Sequence, residues 1–228
     1  MEELGEWHHM YVRLKIPEKR GFLNGETLLD AGCGNGRYLS CFRFNKKIRF
    51  CAGLDISRAR VYSANKRFKE RGSDVALIVA DIEEAPFRND VFDVVFSTDV
   101  IEHLPHPLKG IRELVRISKD KVIICTPNKL CPLDMSRFAH IFGSHTPPPI
   151  EKYVTRFQLV DMLKFSGIRD MNIAVSETSF VPLGWILVNR KLSLPMKLVK
   201  FSMFVEKYLE KIPLVKYTAG VLVATAKV

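Results

Sequence analysis

Short apolar runs alternate with helical patterns along this chain, and that alternation restricts the fold more than any other feature. The runs cover 26–30, 48–54, 75–80, 91–97 and 121–126. Between and after them, apolar residues recur at helical spacing over 36–44, 58–70, 107–118 and 155–166. The last of these opens on Thr155, a suitable N-cap, and closes at Gly167. Strands that are separated by helices can pair in parallel, and the helices then cover both faces of the sheet. The C-terminal part differs. Residues 171–180 and 219–226 read as two further strands with a helical insertion between them, and the pair is expected to form an antiparallel hairpin. The pattern therefore predicts an α/β, doubly wound, seven-stranded, mainly parallel sheet with a C-terminal antiparallel hairpin and a helical insertion.

A chain of 228 residues makes one domain of ordinary size. At this length ~70% of the unfolded surface can be buried, so neither disulfides nor metals are needed for stability. The expected organisation is a single domain over 1–228. Its core spans 23–181 and 217–228, with an N-terminal extension over 1–22 and a lid-like insertion over 182–216. The extension carries Trp7, His8, His9 and Tyr11 and is expected to pack on the surface. Residues 142–153, with Pro147, Pro148 and Pro149, read as an exposed loop. The five cysteines are scattered, odd in number and lack a C-x-x-C pair, which fits reduced thiols in a cytosol. No run of 18 apolar residues exists, and the acidic Met1-Glu2-Glu3-Leu4 start has no apolar signal region. The expected location is therefore cytoplasmic.

The strongest local signal is Leu28-Leu29-Asp30-Ala31-Gly32-Cys33-Gly34-Asn35-Gly36, a strand running into a glycine-rich turn and then a helix. Glycines let a backbone turn sharply and approach a ligand closely. In open α/β sheets ligands bind beyond the carboxyl ends of the strands, where this turn lies. A dinucleotide is disfavoured. Its G-x-G-x-x-G spacing requires glycine at 37, where the chain has Arg37, and Asp30 would repel a pyrophosphate. A carboxylate beside such a turn suits a ligand that carries an ammonium group and no phosphate. Asp55 ends the second strand, 19 residues after Gly36, at the distance where an acid accepts hydrogen bonds from ribose hydroxyls. Asp81 ends the third strand and is placed to accept a hydrogen bond from an exocyclic amine.

With these residues in place the chain resembles the class I S-adenosylmethionine-dependent methyltransferases, whose fold is Rossmann-like. It is most similar to the small-molecule type of the ubiquinone and menaquinone pathways. The likeness rests on LLDAGCGNGRY (28–38), GLDIS (53–57), ADIEEAPF (80–87), FDVVFSTDVIEHLPHP (92–107), IRELVR (111–116) and VIICTPN (122–128), and spans about 26–181 and the final strand. It implies S-adenosyl-L-methionine as cofactor. Asp30, Gly32, Gly34 and Gly36 would surround its methionine part, and Asp55, with Ile56 beside it, its ribose. Asp81 and the backbone of Ile82 would hold the adenine, and Ser97 would lie near the sulfonium.

The resemblance also places Asp99-Val100-Ile101-Glu102-His103-Leu104 near the transferable methyl. Asp99 and His103 are the catalytic candidates, His103 as a general base because imidazole titrates near neutrality. The alternative is that Glu102 and His103 brace the loop. Asp99 and His103 are too few ligands to make a metal site, so no metal is expected. His106, between two prolines, reads as a turn residue. Cys33 and Cys125 read as packing residues.

The net charge is +10, with +5 over 57–71 and +5 over 190–216. The first segment reads as a solvated helix face. In the second, Leu194, Leu198, Phe201, Val205, Tyr208, Leu209 and Ile212 share one helical face, and Lys197, Lys200, Lys207 and Lys211 share an adjacent one. That pattern suits a lid over an apolar substrate or peripheral contact with an anionic membrane. The expected reaction is methyl transfer to a small, apolar or aromatic acceptor, at oxygen by family analogy. The alternatives are an RNA-modifying methyltransferase, with nucleic acid the less expected partner, and a non-catalytic cofactor-binding partner protein.

Overall fold

The computed structural model describes residues 2–43, 45, 47–73, 75–131, 152–178, 204, 208, 212 and 218–228. Their strands form one seven-stranded sheet in the order β3-β2-β1-β4-β5-β7-β6. The strands are β1 (Thr27–Ala31), β2 (Phe50–Asp55), β3 (Ala76–Val79), β4 (Phe92–Thr98), β5 (Ser118–Pro127), β6 (Ile173–Thr178) and β7 (Val221–Lys227). The helices are α1 (Glu2–Lys19), α2 (Arg37–Phe42), α3 (Arg58–Glu70), α4 (Pro107–Ile117) and α5 (Arg156–Phe165). The five N-terminal strands pair in parallel, and β7 runs antiparallel to both β5 and β6. The expected hairpin pairing of β6 with β7 is present, but β7 lies between β5 and β6 rather than at the edge.

Side-chain alternation along the central strands builds the two layers. Leu29, Val95, Val122 and Ile124 pack with Ile111 and Leu114 of α4 and Leu159 and Leu163 of α5. Their neighbours Leu28, Val94, Phe96 and Ile123 face the other way, toward Leu14 of α1 and Tyr38 and Phe42 of α2. Leu39, Ala64 and Phe68 extend this second layer between α2 and α3. Phe96 is fully buried, with ring centroids 5.2 Å from Tyr38 and 5.0 Å from Phe42. Burying a side chain of this size stabilises by roughly 1.5–3 kcal/mol.

Local signals set the helix ends. The α3 cap is Ser57, whose Oγ accepts from the Arg60 amide. In α4, Pro107 occupies the first turn, where its missing N–H is harmless. In α5, Thr155 and Gln158 exchange side-chain and backbone hydrogen bonds as a capping box. The N-terminal stretch forms α1, which packs against β6 and β7. Arg20 then donates to the Ala174 carbonyl, the Ser176 hydroxyl and the Thr225 hydroxyl, fastening the chain to the same strands.

Of the insertion expected over 182–216, only Phe204, Tyr208 and Ile212 are described, and all three are exposed. Its other residues, and 142–151 of the expected proline loop, lie outside the described residues. No helix among the described residues is long and apolar enough to cross a membrane.

Candidate active site

The site forms where β1, β2, β3 and β4, adjacent in the sheet, present their carboxyl ends. After β1 the chain turns through Gly32, Gly34 and Gly36, all at positive φ. Two of these positions require glycine. At Gly32 (φ +85°) a Cβ would fall 2.2 Å from Val100 Cγ2, and at Gly36 (φ +76°) 2.6 Å from Phe68 Cε2. The turn is tied to β2 by the amides of Gly32 and Cys33, which both donate to the Leu54 carbonyl. Asp55 completes the tie. Its Oδ2 accepts from the Gly34 amide and its Oδ1 from the Ser57 amide, each at 2.8 Å.

Asp30 lies beneath this turn with no exposure, and neither of its carboxylate oxygens has a hydrogen-bond partner. Burial, and then the charge of Asp55, push its pKa up from 3.8 to about 8. Ser97, at the end of β4, is also buried with a hydroxyl that has no partner. Buried polar groups without partners are rare in folded proteins, and a bound cationic or hydrogen-bonding ligand is one way of satisfying them. Ile56, next to Asp55, is 70% exposed, an apolar surface beside the same strand ends. Asp81 is exposed and caps the turn Ile82–Glu84 by accepting from the Glu83 amide at 2.8 Å, while the Ile82 side chain is buried.

A cavity of about 340 Å³ opens over the glycine turn, lined by Gly32, Cys33, Gly34, Asn35, Arg37, Tyr38, Arg60, Thr98 and Asp99. At its wall Asp99 adopts φ +54°, a left-handed conformation that Asp tolerates better than most residues. Arg13 of α1 reaches across to it. The guanidinium is buried, with Nη2 at 2.7 Å and Nε at 3.2 Å from Asp99 Oδ1. Burial alone would lower the arginine pKa, but the Asp99 carboxylate overrides it and raises the value above the ordinary one. Behind the pair, Glu102 is buried and its Oε2 accepts from the Thr126 hydroxyl at 3.0 Å. Burial, and then the charge of Asp99, raise its pKa.

His103 ends the turn Ile101–His103 and is exposed, with no hydrogen-bond partner to its ring among the described residues. It is not part of the cavity lining. His106 braces α4 to the turn after β3. Its amide and ring Nδ1 bond the two oxygens of Glu83 at 2.6 and 3.0 Å. Burial of Glu83 raises its pKa, but those bonds outweigh the effect and lower it. Cys33 and Cys125 are buried. Burial first, then nearby carboxylates, push the Cys33 thiol well above its ordinary value, and burial pushes Cys125 up to about 12. Both therefore stay as unreactive thiols. Among the described residues no group of three or more His, Cys, Asp or Glu is placed to hold a metal.

The structure thus brings Asp30, Gly32, Gly34, Gly36, Asp55, Ile56, Asp81, Ile82, Ser97 and Asp99 to one edge of the sheet, with His103 further out. The sequence reading missed Arg13 and Arg60. It quoted Tyr38 within the first motif but gave it no role. Nothing local in the sequence links Arg13 to Asp99, 86 residues away.

Comparison with known proteins agrees with this geometry. Residues 29–126 match the family model described as a methyltransferase domain. The tRNA (carboxymethyluridine(34)-5-O)-methyltransferase of Arabidopsis thaliana is 36% identical over 116 residues, covering 46% of this chain and 25% of the relative. A ubiquinone/menaquinone biosynthesis C-methyltransferase of Bdellovibrio bacteriovorus is 26% identical over 112 residues, covering 49% of this chain and 47% of the relative. The chain spans about half or less of the curated relatives it matches. Among solved structures, the magnesium protoporphyrin IX methyltransferase of Synechocystis PCC 6803, with S-adenosylhomocysteine bound, superposes with a TM-score of 0.63. That match has 16% identity and covers 98% of this chain and 84% of the other. The fold is that of the S-adenosylmethionine-dependent methyltransferases. The likeness to a methyltransferase domain covers residues 29–126, within which lie Asp30, the glycine turn, Asp55, Asp81 and Ser97.

Proposed function

We propose that the chain transfers the methyl group of S-adenosylmethionine to a small, apolar or aromatic acceptor, at oxygen. The observation that carries the reading is the buried Asp30 carboxyl, without a hydrogen-bond partner, beneath a turn that only glycine can form. A dinucleotide phosphate has no use for such a group, and a ligand ammonium does. When bound, the cofactor supplies a methyl group on a positively charged sulfur that leaves readily.

The residues divide by position. Asp30 with Gly32, Gly34 and Gly36 faces the methionine part. Asp55 is already oriented by two backbone amides and keeps lone pairs for the ribose hydroxyls. Ile56 would pack on the adenine, and Asp81 and the Ile82 backbone would accept and donate at its edge. Ser97 would lie near the sulfur. At the other side of the cavity Asp99, held by Arg13, accepts a hydrogen bond from an acceptor hydroxyl and orients its oxygen toward the methyl. Alignment of this kind accounts for much of the rate enhancement in such a displacement. His103 lies outside the cavity lining, so it would receive the acceptor proton through solvent. The Asp99 carboxylate at the cavity wall supports oxygen. The relatives themselves are named for transfer to oxygen, nitrogen and carbon.

The test is incubation with methyl-labelled cofactor and fractionated cell extract, with the labelled product identified by mass spectrometry. Label at oxygen is expected. Label at nitrogen or carbon refutes the oxygen assignment. Tight S-adenosylhomocysteine binding with no label in any fraction refutes catalysis and leaves a non-catalytic cofactor-binding protein.

A further inference from the structure

The exposed face of α3 carries a stripe that the methyl-transfer site does not use. Arg58, Tyr62, Lys66 and Lys69 follow one another at i, i+4, i+8 and i+11, so they line up along one side of the helix over roughly 16 Å. All four are exposed, and Tyr62 is 71% exposed. The opposite side of the helix, with Val61, Ala64 and Phe68, is buried, which fixes the stripe outward. Arg58 and Lys69 meet no carboxylate among the described residues, and Lys66 has only an exposed contact with Glu70 at 4.0 Å. The helix itself is strongly basic: residues 57–71 hold six basic side chains and one acidic one. Arg58, the first residue of the stripe, directly follows the Asp55–Ser57 tie at the carboxyl end of β2, whereas Arg60, which lines the cavity, projects from another side of the helix.

We propose that this face docks single-stranded RNA. Cations spaced along a groove neutralise successive phosphates, and an aromatic ring set among them stacks on a base. The same stripe is poorly suited to a lipid surface. Tyr62 is its single large apolar group, and its outward neighbours Ala59 and Ser63 are small, so there is no apolar face to enter a bilayer. Docking is measured without turnover, so it is tested apart from the methyl-transfer reading.

The experiment titrates the full chain with a fluorescein-labelled single-stranded RNA of mixed sequence, across a salt series. S-adenosylhomocysteine binding to each variant, by calorimetry, reports folding and an intact cofactor site. The wild type is expected to bind with an affinity that falls as salt rises. Tyr62→Ala is expected to weaken binding about tenfold with the salt slope unchanged, because stacking releases no counterions. Replacing Arg58, Lys66 and Lys69 together by Gln is expected to reduce the slope of log K against log salt by about 2. Absence of RNA binding at low salt overturns the proposal, as does binding that both variants leave unchanged. Stripe-dependent binding to phosphatidylserine vesicles without RNA binding overturns it in favour of a membrane. If RNA binds through the stripe while S-adenosylhomocysteine does not bind, the docking surface stands and the methyl-transfer reading falls.

Discussion

Replacing Asp30 by Asn keeps the shape of the side chain and removes its ability to carry charge. The wild-type carboxyl is fully buried, without a hydrogen-bond partner, and titrates near 8 instead of 3.8. Its folded pKa exceeds its unfolded one, so as pH rises the unfolded chain gives up this proton first. The resulting penalty is absent below about pH 4 and grows until about pH 8, so stability falls through that window. At 1.36 kcal/mol per unit, the whole displacement corresponds to roughly 6 kcal/mol at most. The Asn amide carries no such penalty but leaves its own polar atoms unsatisfied, at a cost of about 1–3 kcal/mol. The two terms predict a change of sign with pH. Below about pH 4 the Asn variant is less stable than the wild type by about 1–3 kcal/mol, and near pH 8.5 it is more stable by about 3–5 kcal/mol. Urea unfolding of both proteins across this range measures the crossing. Calorimetry with S-adenosylhomocysteine should show the variant binding more weakly, because the ligand ammonium has lost its counter-charge. If the variant is destabilised equally at both ends of the range, or wild-type stability is flat across it, the reasoning about a suppressed charge is wrong.

Asp55→Ala should weaken S-adenosylhomocysteine binding by about tenfold or more, the loss of roughly 1.5–3 kcal/mol for a charge-assisted acceptor, and unchanged affinity in a folded variant would remove Asp55 from the ribose. Arg13→Ala strands Asp99 beside the buried Glu102 and should cost about 3–5 kcal/mol in a denaturant titration, while Arg13→Lys should recover part of that; equal losses for both would show that packing, not charge, matters at this position. His103→Ala should slow transfer by ~10²–10⁴ with cofactor affinity retained, whereas unchanged turnover with a lowered melting temperature would leave His103 as a loop brace.

Much of the fold was legible because its signals are local. The 58–70 helix matches α3 end to end, since its cap, period and terminal basic residues lie within the segment itself. The glycine turn and the carboxylates at successive strand ends were readable for the same reason. The start of β5 was not. Helix α4 runs straight into it at Ser118, and the polar Ser118-Lys119-Asp120 hides the first three residues of the strand, of which Ser118 pairs with Phe92 before a bulge. The position of β7 depends on which strand it pairs with, a choice made by distant residues. The Arg13–Asp99 pair is of the same kind, because a lone arginine on a helix gives no sign of the carboxylate it will meet.

That placement of β7 has a consequence for how the molecule assembles. Among the described residues β6 has no sheet neighbour other than β7, and β7 is separated in the chain from β5, its other partner, by about ninety residues. Until Val221–Lys227 inserts, β5 is an open edge of apolar residues such as Val122, Ile123 and Ile124, available to any other chain that can pair with it. The parallel half that carries the cofactor turn can form earlier, from near neighbours. Formation of the sheet should therefore be two-phased, with the ligand-binding half ordered first and a late, aggregation-sensitive step in which one strand slides between two others and closes the edge.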